Sequence, residues 1–340
     1  MASSHRLPQE LIRPATPRRV AVHVLGTLAV LVTMNFAAWA YTRREPLSHD
    51  AAMAHAKWDL LRAPAGDVDT LIVGDSSGNF GVMPELLEEQ TGWKAINVCT
   101  MGRYLAVGDV WMVQDWIDRN GPPARVISVH AARRWEDELE PQSIAQVPLP
   151  FGFWKHSPDL KLDWGETRDL LMARYVPLYA SSVSLSRALR TWTWRLKNPI
   201  PVAARGHASL ADANPTNVQR GTGRTRNKIS KHLQLEMTEH NRTALETLRD
   251  LSAQHGFELY LAHGPVYEGL VQAPGYQQHL WQLNDQLSEL VDTSEHVHLV
   301  FTEPPAFPID QMENPNHLVG PYPAGYTSAL ADALTAASDQ

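Results

Sequence analysis

The stretch Thr70-Leu71-Ile72-Val73-Gly74-Asp75-Ser76-Ser77-Gly78 decides how the rest of the chain is read. Its apolar run, 71–73, predicts a short buried strand. The Gly-Asp-Ser-Ser-Gly that follows predicts a tight polar turn. Residues 82–89 then carry helical periodicity, with Pro84 suited to a first turn. Strand, turn and helix in that order place Ser76 at the carboxyl end of a strand, where open α/β sheets keep their ligand crevice. Helix N-terminal amides would point at whatever occupies it. The same residues also fit an ordinary β–α turn in which Asp75 or Ser76 merely caps the helix.

Outward from this stretch the alternation repeats. A strand over 93–98 leads to an amphipathic helix over 104–119 that carries Trp111 and Trp116 and stops at Asn120-Gly121-Pro122-Pro123. A third strand covers 125–130. The pattern then breaks from about residue 131 to about 231, where proline-rich pieces at 141–150 and 199–201 flank helical stretches at 166–174 and 184–197. Trp135, Trp154, Trp164, Trp192 and Trp194 fall in this segment. It is too long for a plain loop, which predicts an inserted helical cap over the strand ends, or a surface for a membrane or partner. The alternation resumes with a helix at 236–255, a strand at 257–262, a helix at 277–291 and a strand at 296–301. A long loop, 302–323, and a closing helix, 324–337, complete the chain. The expected fold is α/β: a doubly wound, mostly parallel five-stranded sheet of flavodoxin-like type over 69–340.

Residues 20–41 contain no Asp, Glu, Lys or Arg and are long enough to cross a bilayer. His23 and Asn35 weaken that signal without removing it. Arg6, Arg13, Arg18 and Arg19 precede the stretch, and Arg43 and Arg44 follow it. This asymmetry predicts a cytoplasmic tail at 1–19, an anchor at 20–41, a connector at 42–68 and an exported body, periplasmic or extracellular. Ala38-Trp39-Ala40 has the form of a signal-peptidase site, but the arginines behind it argue against cleavage. The connector reads as a helix over 47–62, broken at Pro64-Ala65-Gly66-Asp67.

The composition, 44% hydrophobic and 20% charged, excludes global disorder. Net charge is −7, and the tail before the anchor is basic, so the body is still more acidic and has no general footprint for nucleic acid. One local basic run, 220–231, holds Arg220, Arg224, Arg226 and Lys228. Its Gly, Thr and Asn content predicts a solvated loop, with a polyanionic glycan or lipid head group as the alternative ligand. The single cysteine, Cys99, excludes an intramolecular disulfide and a cysteine-based metal site, and reads as a small buried residue. His130 and His263 end strands and read as structural histidines that face the crevice. His296 and His298 alternate and point the same way, and without nearby Asp or Glu partners they read as a poor metal pair. No cofactor and no metal are expected.

Gly74-Asp75-Ser76-Ser77 after a strand resembles the first block of the SGNH, or GDSL-like, hydrolase and acyltransferase superfamily. Phe80-Gly81-Val82, and then Ala95-Ile96-Asn97-Val98-Cys99-Thr100-Met101-Gly102, fit its continuation. Asn314-Pro315-Asn316-His317-Leu318, with Tyr326-Thr327-Ser328-Ala329-Leu330 behind it, resembles the block of the catalytic histidine. The resemblance spans about 69–334 apart from the inserted segment. It implies Ser76 as nucleophile, activated by His317 as base, with the amides of Ser76 and Gly102 as an oxyanion hole. Two positions depart from the pattern. Asn314 stands where an aspartate usually orients the histidine, leaving Glu313 and Asp310 as substitutes. No third-block asparagine follows residue 130; Ala131-Ala132-Arg133-Arg134 stands there, with Arg133 as a cationic replacement. Membrane-anchored relatives of this layout are similar to polysaccharide O-acetylation and D-alanylation accessory proteins. The resemblance therefore implies a serine esterase or O-acyltransferase in the inner or plasma membrane, acting on an extracytoplasmic glycan or cell-envelope polymer beside a multi-pass membrane O-acyltransferase. The departures leave a second reading open, a catalytically degenerate accessory or glycan-binding protein.

Overall fold

Five parallel strands, β1 (Thr70–Gly74), β2 (Ala95–Asn97), β3 (Arg125–His130), β4 (Glu258–His263) and β6 (Val297–Leu299), form one sheet in the order β2-β1-β3-β4-β6. The computed structural model describes residues 16–44, 48–148, 162–191, 200–231 and 235–338. Every residue of β1 is buried, because a central parallel strand is covered on both faces and so reads as a continuous apolar run. Alternate residues enter separate cores. Leu71 and Val73 pack with Val126, Leu259 and Leu261 under the helices Leu105–Asn120, Glu239–His255 and Tyr276–Val291. Ile72 packs with Ile127, Val129 and Tyr260 under Pro84–Thr91 and Pro323–Ser338. Helices thus cover both faces, and Ile72→Ala would cost about 2–5 kcal/mol through transfer and cavity terms.

Because β2 and β3 flank β1 on opposite sides, the chain reverses its winding direction at β1, and the crevice of an open sheet lies at such a reversal. Gly74 makes the close approach possible. Its φ is +135°, and a Cβ there would lie 2.0 Å from the Val129 carbonyl oxygen.

Several expectations change in detail. The predicted turn after β1 is a short helix, Ser76–Gly81, ahead of Pro84–Thr91. The predicted solvated loop at 220–231 belongs to a helix, Pro215–Lys231. Asn214 caps it by accepting from the Asn217 amide at 3.1 Å, and Val218, Thr222, Thr225 and Ile229 form a buried stripe at helical spacing. The long loop after β6 contains β7 (Ala306–Phe307), paired with β5 (Val266–Tyr267), and a hairpin of β8 (Met312–Asn314) and β9 (His317–Leu318). Part of the inserted segment extends the sheet edge: Asn97 N donates to Arg205 O at 2.8 Å. Trp154, Trp192 and Trp194 lie outside the described residues.

The N-terminal helix, Pro17–Arg44, is long and apolar enough over Pro17–Thr42 to cross a membrane. Leu25 and Phe36 are 64% exposed. Asn35, one of the polar residues within the apolar stretch, donates from Nδ2 to Tyr175 O at 2.7 Å, so the inserted segment, through its helices Trp164–Tyr175 and Pro177–Ala180, meets this helix.

Candidate active site

Asp75 builds the turn that presents Ser76. It is the N-cap of Ser76–Gly81: Oδ1 accepts from Ser77 N at 2.7 Å and from Ser77 Oγ at 2.5 Å. Oδ2 accepts from Ala131 N at 3.1 Å, and Asp75 N donates to Val129 O at 3.0 Å. One buried carboxylate therefore pins the end of β1 to the end of β3. Burial pushes its pKa up, but His130, Arg134 and the Ser77 hydrogen bonds outweigh burial and hold it below the usual value. Asp75 is a scaffold residue, as its place beside Ser76 suggested.

The β8–β9 hairpin carries the partner. His317 Nε2 lies 2.7 Å from Ser76 Oγ, and the ring packs 4.8 Å from Phe80. On the other side, Asn314 Nδ2 lies 2.7 Å from His317 Nδ1, while Asn314 Oδ1 accepts from Asn316 N at 2.9 Å. That backbone bond fixes the amide, so Nδ2 donates and Nδ1 accepts. A neutral ring that accepts at Nδ1 carries its proton on Nε2, the nitrogen facing Ser76. Burial is the main reason His317 titrates far below an ordinary histidine, at about 3; Asp75 opposes the shift and Arg134 and Arg133 add to it. Glu313 Oε2 lies 3.8 Å from Nδ1, beyond hydrogen-bond reach, and its Oε1 accepts from Asn217 Nδ2 at 2.8 Å. Asp310 is exposed on the turn Ile309–Gln311 and makes no contact with His317 among the described residues.

The Ser76 and Gly102 amides have no acceptor among the described residues, as two oxyanion donors would require. The guanidinium lying against Gly102 belongs to Arg134: a Cβ on Gly102 would meet Arg134 Nε at 2.5 Å. Arg134 Nε is 3.7 Å from Asp75 Oδ2, and its NH1 is 2.9 Å from Asp137 Oδ2. Arg133 lines a neighbouring cleft with Asn314 and Asn316 instead. The turn Ala132–Glu136 is a tight 3-10 helix, and the pair Arg133-Arg134 gave no sign of which arginine faces Gly102.

Among the polar groups behind the site, Lys57 and Asp109 were not singled out from sequence. Asn97 Nδ2 donates to Gly78 O and Val82 O, both at 2.9 Å, which ties β2 to the Ser76 helix. Lys57 is fully buried and donates to Asn97 O at 2.9 Å and to Gly206 O; burial lowers its pKa to about 7. Asp109 accepts from Ser128 Oγ at 2.8 Å and lies 2.8 Å from His130 Nε2. Burial alone would lower the His130 pKa, but Asp109 overrides it and raises it. A lone aspartate inside the apolar run 105–113 was the available signal. His263 Nε2 meets Asn284 Oδ1 at 2.7 Å. His296 and His298 do have an acidic partner, Glu258 on the adjacent strand β4, at 3.1 and 2.7 Å. Sequence neighbours alone could not reveal it. Among the described residues no three His, Cys, Asp or Glu side chains gather as a metal site.

Comparison with known protein families and with curated proteins finds no family model and no curated protein that matches this chain.

Proposed function

We propose that this chain is a membrane-anchored SGNH-like serine esterase or O-acyltransferase whose body lies outside the cytoplasm and acts on a glycan or other cell-envelope polymer. The observation that carries the reading is the 2.7 Å contact between His317 Nε2 and Ser76 Oγ, made between groups 241 residues apart in sequence and placed at the sheet's reversal point. Ser76 Oγ attacks an ester or thioester carbonyl, His317 Nε2 takes the hydroxyl proton in the ring tautomer that holds its own proton on Nδ1, and the amides of Ser76 and Gly102 receive the developing oxyanion. The leaving group then takes the proton from His317. In the second half water or a sugar hydroxyl gives its proton to His317 and attacks the acyl-serine; the acyl–Oγ bond breaks, Ser76 Oγ recovers the proton from His317, and the outcome is hydrolysis or transfer. A multi-pass membrane O-acyltransferase is the proposed supplier of acyl groups.

A second reading has its own support. Asn314 donates to Nδ1 and leaves the proton on the nitrogen that must accept one, which favours an accessory, glycan-binding protein that kept the fold. Ser76→Ala, His317→Ala and the double variant decide between the two in short-chain ester hydrolysis and in acyl transfer to an oligosaccharide. Groups acting as a unit are non-additive, so all three variants should fall to one residual rate with circular dichroism unchanged. A folded Ser76→Ala protein with parental activity in both assays would leave only the accessory reading.

A further inference from the structure

We propose that the cleft beside the Ser76–His317 pair binds an oxyanion, carboxylate or phosphate, carried by a carbohydrate polymer. The proposal rests on the reading of that pair as an acyl-transfer site and names its substrate class. The cleft holds about 360 Å³, at the lower end of the roughly 300–1,000 Å³ found for small-ligand sites. It is lined by the His317 hairpin through Glu313, Asn314 and Asn316, and by Arg133 from the turn Ala132–Glu136 after β3. The helix Pro215–Lys231 supplies the rest of its charge from Arg220, Arg224 and Lys228, spaced by four residues and so on one face. That helix is seated against the hairpin by Gly221, where a Cβ would meet Pro315 Cδ at 2.6 Å.

Both carboxylates in the cleft are already engaged. Glu136 pairs with Lys228 at 3.3 Å, and Glu313 accepts from Asn217 at 2.8 Å. Arg133, Arg220 and Arg224 have no carboxylate partner among the described residues. His279 adds an independent sign. It lines the same cleft, is 4% exposed, and its Nε2 has no hydrogen-bond partner among the described residues. Leaving a buried polar atom open is costly, and such atoms mark places that something else completes. A positive cleft on a body of net negative charge also concentrates the local field and draws anions to that point. Guanidinium forks match both carboxylate and phosphate, so the two sources share one recognition chemistry.

The test is isothermal titration of the full-length Ser76→Ala protein in detergent, a form that cannot turn over. The probes are a trimer of galacturonic acid, its methyl ester, and a glycerol-phosphate oligomer. At least one anionic probe should bind, and the tighter of the two identifies the group carried. The methyl ester should bind at least tenfold more weakly than the acid. Arg220→Gln/Arg224→Gln in the same background should cost about a hundredfold, roughly tenfold for each charge-assisted contact, and binding should weaken with salt. Both arginines are exposed, and circular dichroism verifies that the variant is folded. Binding of neither anion, equal binding of acid and ester, or undiminished binding by the double variant would each overturn the subsite. Ester hydrolysis by protein with Ser76 intact is read separately. Its loss would remove the catalytic reading, whereas failed binding beside intact hydrolysis removes only the anion site.

Discussion

Replacing Asn314 by aspartate changes one atom of the site from donor to acceptor. In the present arrangement Asn314 Oδ1 is held by Asn316 N at 2.9 Å and Nδ2 faces His317 Nδ1 at 2.7 Å. A carboxylate can keep the first contact with one oxygen and accept a proton from Nδ1 with the other. That moves the ring proton to Nδ1 and frees Nε2, 2.7 Å from Ser76 Oγ, to act as base. The size follows from the reverse change: neutralising the carboxylate of a Ser-His-Asp triad lowers kcat by about 10⁴, which is about 5 kcal/mol. Burial, the main cause of the low His317 pKa of about 3, is untouched by the substitution, so the gain falls at or below that size. Asn314→Asp should therefore raise p-nitrophenyl acetate hydrolysis between about 10² and 10⁴-fold. The pH profile should move with it. The base must be neutral to accept a proton, so activity is lost as pH falls through the His317 pKa. The parent stays flat from pH 8 down to pH 5, and the variant should lose rate across the neutral range. A folded Asn314→Asp protein with an unchanged rate and an unchanged profile would refute the tautomer argument.

Other consequences can be measured independently. Glu313→Ala should leave the parental rate within about twofold, because Glu313 lies 3.8 Å from Nδ1, outside hydrogen-bond range; a loss of a hundredfold would make Glu313 the orienting acid. Lys57 should leave a signature in stability against pH. Its folded-state pKa of about 7 lies below its ordinary 10.5, so between these values the unfolded chain holds a proton that the folded chain lacks. Stability then rises with pH across that window by up to about 1.4 kcal/mol per pH unit. Lys57→Met should abolish this rise in chemical denaturation from pH 7 to 10, and an identical slope in both proteins would contradict it. For topology, an alkaline phosphatase fused to the C-terminus should be active and a fluorescent protein exported there by the Sec route should be dark; the reverse pair would place the body in the cytoplasm.

The sheet was legible because its strands are short apolar runs punctuated by turns, and burial on both faces leaves that signature intact at 71–73 and 125–130. Ser76 and His317 were legible because each sits in a local motif. The contact of His317 with Asn314 was legible from spacing three residues apart, although the direction of the hydrogen bond was not, since it depends on the Asn316 amide. The helix Pro215–Lys231 was hidden by Gly221, Gly223 and several Thr and Asn residues, whose low helix propensity outweighed the buried stripe from Val218 to Ile229. Tertiary packing on the His317 hairpin supplies what propensity withholds. Arg134, Lys57 and Glu258 were illegible for another reason. Glu258 meets His296 and His298 only through the register of the sheet, while Lys57 meets Asn97 and Gly206, and Arg134 meets Asp75, only through tertiary packing. The helix at the N-terminus was the reverse case, legible from composition, because a long apolar stretch without charge is visible without any partner elsewhere in the chain.

Labelling by a fluorophosphonate tests the nucleophile–base pair most directly, because the reagent reacts with a serine hydroxyl only where a base removes its proton. Full-length protein in detergent is treated with the reagent and the adduct is located by peptide mass spectrometry. The account predicts one adduct, on Ser76, slow in the parent, faster by at least a hundredfold in Asn314→Asp, and absent in His317→Ala. An Asn314→Asp protein that is folded yet carries no adduct on Ser76, or an adduct that forms equally well in His317→Ala, would contradict it.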